Sequence, residues 1–110
     1  MLIRDIVKEL GLKVVAGDAG IDKNVEGVYI GDLLSLVMAK AGSSNIWITI
    51  QTHINVMAVA TLVDISAVLI AEGVEIDEDT INKSNEEGIP LLKSDLSAYE
   101  LACKLKEMGL

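Results

Sequence analysis

The residues best suited to chemistry fall in one short window: Thr49, Gln51, Thr52, His53 and Asn55. They follow the apolar run Ile46-Trp47-Ile48-Thr49-Ile50 and precede the apolar run Ile54 to Val63. If the first run is a strand and the second a helix, the window joins a strand's carboxyl end to a helix amino terminus. Open α/β sheets bind ligands at such ends, and the free N–H groups and dipole of a helix start favour an anion. Thr52 and Asn55 add side-chain donors, and His53 adds an imidazole. The chemistry expected is capture of a small phosphate or carboxylate. The same residues also fit a plainer role, with Thr52 or Asn55 capping the helix and His53 solvated in the loop.

Bond-breaking chemistry finds little support. His53 is the single histidine and Cys103 the single cysteine, so a zinc set cannot be assembled. Asp77-Glu78-Asp79 lacks the spacing of a calcium loop and fits a helix start. His53, Ser66 and Asp64 supply the residue types of a hydrolytic triad, but no nucleophile-elbow sequence accompanies them. Gly17 to Asn24 has glycines without the Gly-Lys-Ser/Thr ending of a phosphate loop. The expectation is a non-catalytic chain without metal or cofactor.

The elements that must hold the window follow from periodicity and punctuation. Leu2, Ile3, Ile6, Val7 and Leu10 have helical spacing, stopped by Gly11. Leu12–Ala16 and Val25–Ile30 read as strands, separated by the turn Gly17-Asp18-Ala19-Gly20. Asp32 is placed to cap a helix over Leu33–Ala41. Ile46–Ile50 reads as a strand covered on both faces. Ile54–Val63 reads as a helix apolar almost all round, buried on more than one side. A buried strand at Ala67–Ile70 comes next, followed by a helix from Asp77 stopped by Gly88. Ile89–Leu92 is a short strand that either lies at an edge or begins at Pro90, which cannot donate a ladder bond. Ser97-Ala98-Tyr99-Glu100 is a capping box for a last helix, stapled by Leu96 and Leu101. Its buried stripe is Ala98, Leu101, Ala102, Leu105 and Met108. Alternation of helix and strand from Leu33 onward implies parallel strands and right-handed crossovers. The fold class is α/β, a layered domain with a mostly parallel sheet flanked by helices.

Composition sets the outer limits. The chain has 110 residues and a net charge of −8, with 51% apolar and 3% aromatic residues. That fits one domain over residues 1–110 with an aliphatic core. An acidic chain with so few aromatics suits neither a nucleic-acid backbone nor base stacking, and its charge disfavours an anionic membrane surface. The start Met1-Leu2-Ile3-Arg4-Asp5 has no signal-peptide pattern, so a cytoplasmic location is expected.

Several stretches, in order, carry a resemblance: Val14–Gly17, Val25–Ser35, Trp47–Ile50, Glu87–Leu92 and Ser97–Leu101. Together they resemble the DRTGG domain family, itself similar to the amino-terminal domain of HPr serine kinase/phosphorylase. Two departures stand out. The position of the family's Asp-Arg-Thr reads Ile50-Gln51-Thr52-His53-Ile54-Asn55, and that of its Gly-Gly pair reads Ile70-Ala71-Glu72-Gly73. The resemblance implies a regulatory or sensory role and an association with dimers. It implies no kinase activity, because no P-loop module is present. The expectation is a homodimer that buries part of the Ile54–Val63 helix, with Val56, Met57 or Ala60 in the interface, and that binds a small anionic ligand or nucleotide. The alternative is an accessory module that docks a partner enzyme.

Overall fold

The computed structural model describes residues 1–110. Helix α1 (Ile3–Leu10) leads to strand β1 (Lys13–Ala16), a single 3-10 turn (Asp18–Gly20) and strand β2 (Gly27–Ile30). Then helix and strand alternate: α2 (Leu34–Lys40), β3 (Asn45–Thr49), α3 (Asn55–Val63), β4 (Ala67–Ile70), α4 (Glu78–Glu87), β5 (Leu91–Lys93) and α5 (Ala98–Glu107). The five strands form one sheet in the order β1-β5-β4-β3-β2. β2 through β5 are parallel, and β1 runs antiparallel to β5 with a bulge between Val14 and Ala16. The α/β class and the mostly parallel sheet follow the alternation in the sequence.

Successive parallel strands are neighbours, so α2, α3 and α4 are right-handed crossovers on the same face. Their side chains Val37, Val56, Met57 and Ala60 pack with Trp47, Val68, Ile70 and Leu91 from the sheet. The other face carries α1 and α5. Ile3, Ile6, Leu101 and Leu105 pack there on Ile46, Ile48, Leu69 and Leu92. Alternate residues of β3 and β4 therefore feed opposite cores, and both strands are buried through their apolar lengths, as their composition requires.

Local signals explain most boundaries. Ser97 accepts the Glu100 N–H at 3.2 Å while the Glu100 carboxylate accepts the Ser97 N–H at 3.2 Å, the reciprocal box expected of α5. Gly11 and Gly88 end α1 and α4 in the left-handed conformation. Gly17 is needed for space as well as for its positive φ of 73°: a Cβ there would run into the Ile89 carbonyl.

Three expectations need correction, and the alternative left open at Pro90 is resolved. Asp32 does not cap α2, whose first turn has no side-chain cap; its carboxylate turns instead to the end of β3. Neither Thr52 nor Asn55 caps α3, since the Asn55 N–H is taken by His53 Nδ1 at 3.2 Å. The strand after Pro90 is not at an edge, because β1 and β4 flank it. It begins at Leu91, directly after the proline, whose carbonyl accepts the Val68 N–H at 2.9 Å. Finally, Val56, Met57 and Ala60 are fully buried inside the monomer. They cover the sheet and cannot meet a partner chain. What α3 exposes is Asn55, Ala58, Thr61 and Leu62.

Candidate functional site

The carboxyl ends of β2 and β3 are tied together by one side chain. Asp32 Oδ1 accepts the Thr49 hydroxyl at 2.8 Å and the Ile50 N–H at 3.0 Å. Gln51 completes the tie: its N–H donates to Thr49 Oγ1 at 3.2 Å, and its side-chain amide donates to the Asp32 carbonyl at 3.0 Å. Trp47 adds a further link by donating its indole N–H to the Gly31 carbonyl at 2.8 Å. The loop after β3 is thus braced against the loop after β2. On its far side, the Thr80 hydroxyl of α4 donates to the Thr52 carbonyl at 2.6 Å.

The five polar residues of the window divide by role. Thr49 is buried, 2% exposed, with its hydroxyl engaged as both donor and acceptor. Gln51 has an exposed side chain that is nonetheless held to Asp32. Thr52, His53 and Asn55 remain half-buried or exposed at the mouth of the loop. Asp32 is the member that sequence reasoning missed as part of this site. Its position after a strand, ahead of an apolar helix, gave it the signature of a cap.

The helix start offers fewer free donors than a bare terminus. The N–H groups of Asn55, Val56 and Met57 already donate to His53 Nδ1, the His53 carbonyl and the Ile54 carbonyl. Three consecutive N–H groups just upstream, those of Thr52, His53 and Ile54, have no acceptor within the chain. Free N–H groups beside a helix start favour a negative charge. No three His, Cys, Asp or Glu side chains converge as a metal would require. No helix is long and apolar enough to cross a membrane.

The second departure from the family signature has a structural counterpart. Glu72 and Gly73, where the paired glycines would stand, both have positive φ, at 66° and 63°. Both positions thus adopt the left-handed backbone that glycine suits, with glutamate at the first. The Glu72 N–H donates to the Leu96 carbonyl and the Gly73 N–H to the Ser94 carbonyl, each at 2.9 Å. The loop after β4 is thereby fixed to the loop after β5.

Comparison with known proteins agrees with this architecture. The structure superposes on the CBS and DRTGG domains of the regulatory region of Clostridium perfringens pyrophosphatase, crystallised with its activator diadenosine tetraphosphate, with a TM-score of 0.76. Identity is 9%, and the match covers 94% of this chain and 45% of that one, so the likeness is one of fold. The chain spans less than half the length of that regulatory region. No protein of curated function matches. The DRTGG domain model matches residues 5–108, nearly the whole length. The chain therefore belongs to the DRTGG domain family.

Proposed function

We propose that the chain is a regulatory or sensory module, without catalysis of its own, that binds a small anionic ligand at the loop after β3 and acts through homodimerisation. The observation that carries the ligand reading is the set of unpaired N–H groups at Thr52, His53 and Ile54, beside the braced Asp32 carboxylate. An anion suits the N–H groups. A carboxylate a short distance away repels further negative charge and calls for a donor, such as a hydroxyl. A nucleotide meets both demands, with phosphate at the N–H groups and ribose hydroxyls toward Asp32. Thr52 and Asn55 add side-chain hydrogen bonds and His53 lies beside them. Membership of the DRTGG domain family and the fold likeness to the regulatory region of Clostridium perfringens pyrophosphatase support a regulatory role.

Dimerisation is supported by where apolar surface remains. Six of the nine large apolar side chains left exposed are Ile30, Leu33, Leu36, Met38, Ile50 and Leu62. They belong to β2, α2 and α3 or to the ends of these elements and of β3, on the β2 side of the sheet. β2 is an edge strand with neither the lysine nor the proline that commonly guards an edge. A second copy would cover this face; a partner enzyme is the other occupant it would suit.

The ligand test is titration with inorganic phosphate, AMP, ADP and ATP while backbone amide shifts are followed by NMR. Shifts clustered on Gln51–Val56, weakened by His53→Ala, are expected. Asp32→Asn should weaken AMP more than inorganic phosphate. Absence of shifts there with every anion at millimolar concentration rejects the ligand reading and leaves the docking module.

A further inference from the structure

The two edges of the sheet are unlike. β1 carries Lys13, and a bulge interrupts its ladder between Val14 and Ala16. Both features hinder a strand from pairing with another chain. β2, at the opposite edge, reads Gly27-Val28-Tyr29-Ile30 and pairs in unbroken register with β3. It has no charge, proline or bulge. The Gly31 N–H donates to the Ile48 carbonyl at 3.2 Å. Main-chain groups alternate sides along a parallel strand, so Tyr29 and Gly31 turn theirs to β3. The N–H and C=O groups of Val28 and Ile30 then point away from the sheet, and they have no partner in the chain.

The surroundings of this edge suit a sheet that continues past it. Ile30 is the register partner of Ile48, so its side chain stands on the face covered by α1 and α5. Those helices leave it 47% exposed. On the other face α2 leaves Leu36 and Met38 exposed. Apolar surface therefore flanks the open edge on both faces. Charge is nearly absent. From Gly27 to Ala39 the one charged residue is Asp32, in a chain that is 24% charged, and its carboxylate is engaged by Thr49 and Ile50. Two chains of net charge −8 repel each other, so self-association favours a contact poor in carboxylates, and β2 with α2 supplies one.

We infer, resting on the homodimer reading above, that two copies join β2 to β2 antiparallel about a two-fold axis through Tyr29, making one continuous sheet. The outward groups fix this register. Val28 of each copy exchanges main-chain hydrogen bonds with Ile30 of the other, and the two Tyr29 residues face each other in a close, non-hydrogen-bonded pair. Cross-strand aromatic pairs and β-branched pairs both stabilise a sheet. The helices fit as well. Val37 of α2 packs with Trp47 on the β2–β3 side of the sheet. A helix seated over the β2–β3 pair lies about two strand spacings from its symmetry mate, roughly 10 Å, which is helix-packing distance. Leu36 and Met38 are the apolar residues available to that contact. The symmetry brings Asp32 of one copy toward Glu26 and Lys40 of the second copy, one like and one opposite charge, so ionised groups neither drive nor oppose the pairing.

The test is amide hydrogen exchange on the full chain, with light scattering on the same samples. In the wild-type dimer the Val28 and Ile30 amides should be protected alongside Tyr29 and Gly31. Ile30→Lys places a charge on the edge; it should give a folded monomer in which the Val28 amide exchanges about tenfold faster or more while Tyr29, bonded within the chain, changes little. Val28→Pro removes only an N–H that the chain itself does not use and should also be monomeric. A dimer whose Val28 and Ile30 amides exchange like those of an unstructured chain, or one that survives Ile30→Lys, would overturn the edge pairing while sparing a homodimer through another face. A wild-type monomer would overturn both and leave the edge to a partner enzyme.

Discussion

The Thr49 hydroxyl donates to the Asp32 carboxylate at 2.8 Å, joining the last residue of β3 to the loop that follows β2. Thr49 is almost wholly buried, so its hydroxyl depends on that acceptor. Asp32→Ala should therefore cost about 1–3 kcal/mol, the desolvation penalty of an orphaned polar group plus the lost Ile50 N–H contact. Urea melts at neutral pH measure it. An unchanged midpoint would mean that the brace contributes nothing to stability.

Glu72 occupies a left-handed conformation that glycine adopts at no steric cost. Glu72→Gly should stabilise by roughly 0.5–1 kcal/mol, the left-handed penalty less glycine's extra chain entropy. Gly73→Ala should move the other way, by about 1–2 kcal/mol from the backbone alone. Its Cβ would also stand 2.6 Å from Asp95 Oδ1. Adding Asp95→Ala to Gly73→Ala should recover part of the loss, and a double-mutant cycle in denaturant reads that coupling.

Core and cap can be ranked. Ile48 is fully buried in the middle of β3 against α1 and α5, so Ile48→Ala should cost roughly 2–5 kcal/mol through lost burial and a cavity. Ser97→Ala removes one half of the α5 capping box and should cost about 1 kcal/mol. The reverse order in chemical melts would contradict this division between core and helix end.

Self-association by the β2–α2 face makes a distinct prediction. Leu33 is 64% exposed. Leu33→Glu should convert a dimer to a monomer, read by light scattering at micromolar concentration, while the thermal melt of the fold is retained. Val56, Met57 and Ala60 variants would unfold the chain instead. A wild-type monomer at that concentration rejects the homodimer.

Arg4 and Asp22 join α1 to the segment after the 3-10 turn through two hydrogen bonds, at 2.7 and 3.2 Å. The hydrogen bond from Arg4, reinforced by its charge, holds the Asp22 carboxyl below the usual aspartate range. A lowered folded pKa means that the contact stabilises above the unfolded value and is lost as pH falls through the folded one. Both side chains are exposed, so the effect should be small and screened by salt. Carbon-detected NMR titration of Asp22 should give a midpoint below that of the Arg4→Ala variant.

The element types were legible in the chain, because strand and helix periods and their punctuation are local. The buried runs Ile46–Ile48 and Ala67–Ile70, the glycine stops at Gly11 and Gly88, and the capping box at Ser97 lie within a residue or two of where pattern alone puts them. Alternation along the chain was enough to imply parallel strands. The resemblance identified the family that the domain model matches over residues 5–108. Which polar groups are spoken for emerges once the chain is folded. Asp32 has the local signature of a cap, yet Thr49, 17 positions away, offers it a buried hydroxyl that must be satisfied. The apolar helix Asn55–Val63 has the composition of an interface, yet the sheet covers Val56, Met57 and Ala60. Lys13 and Lys93 stand 80 positions apart, and only the antiparallel return of β1 beside β5 brings them face to face. Long-range pairing of this kind leaves no period in the chain to read, since it is set by which strand edges remain open when the sheet closes up.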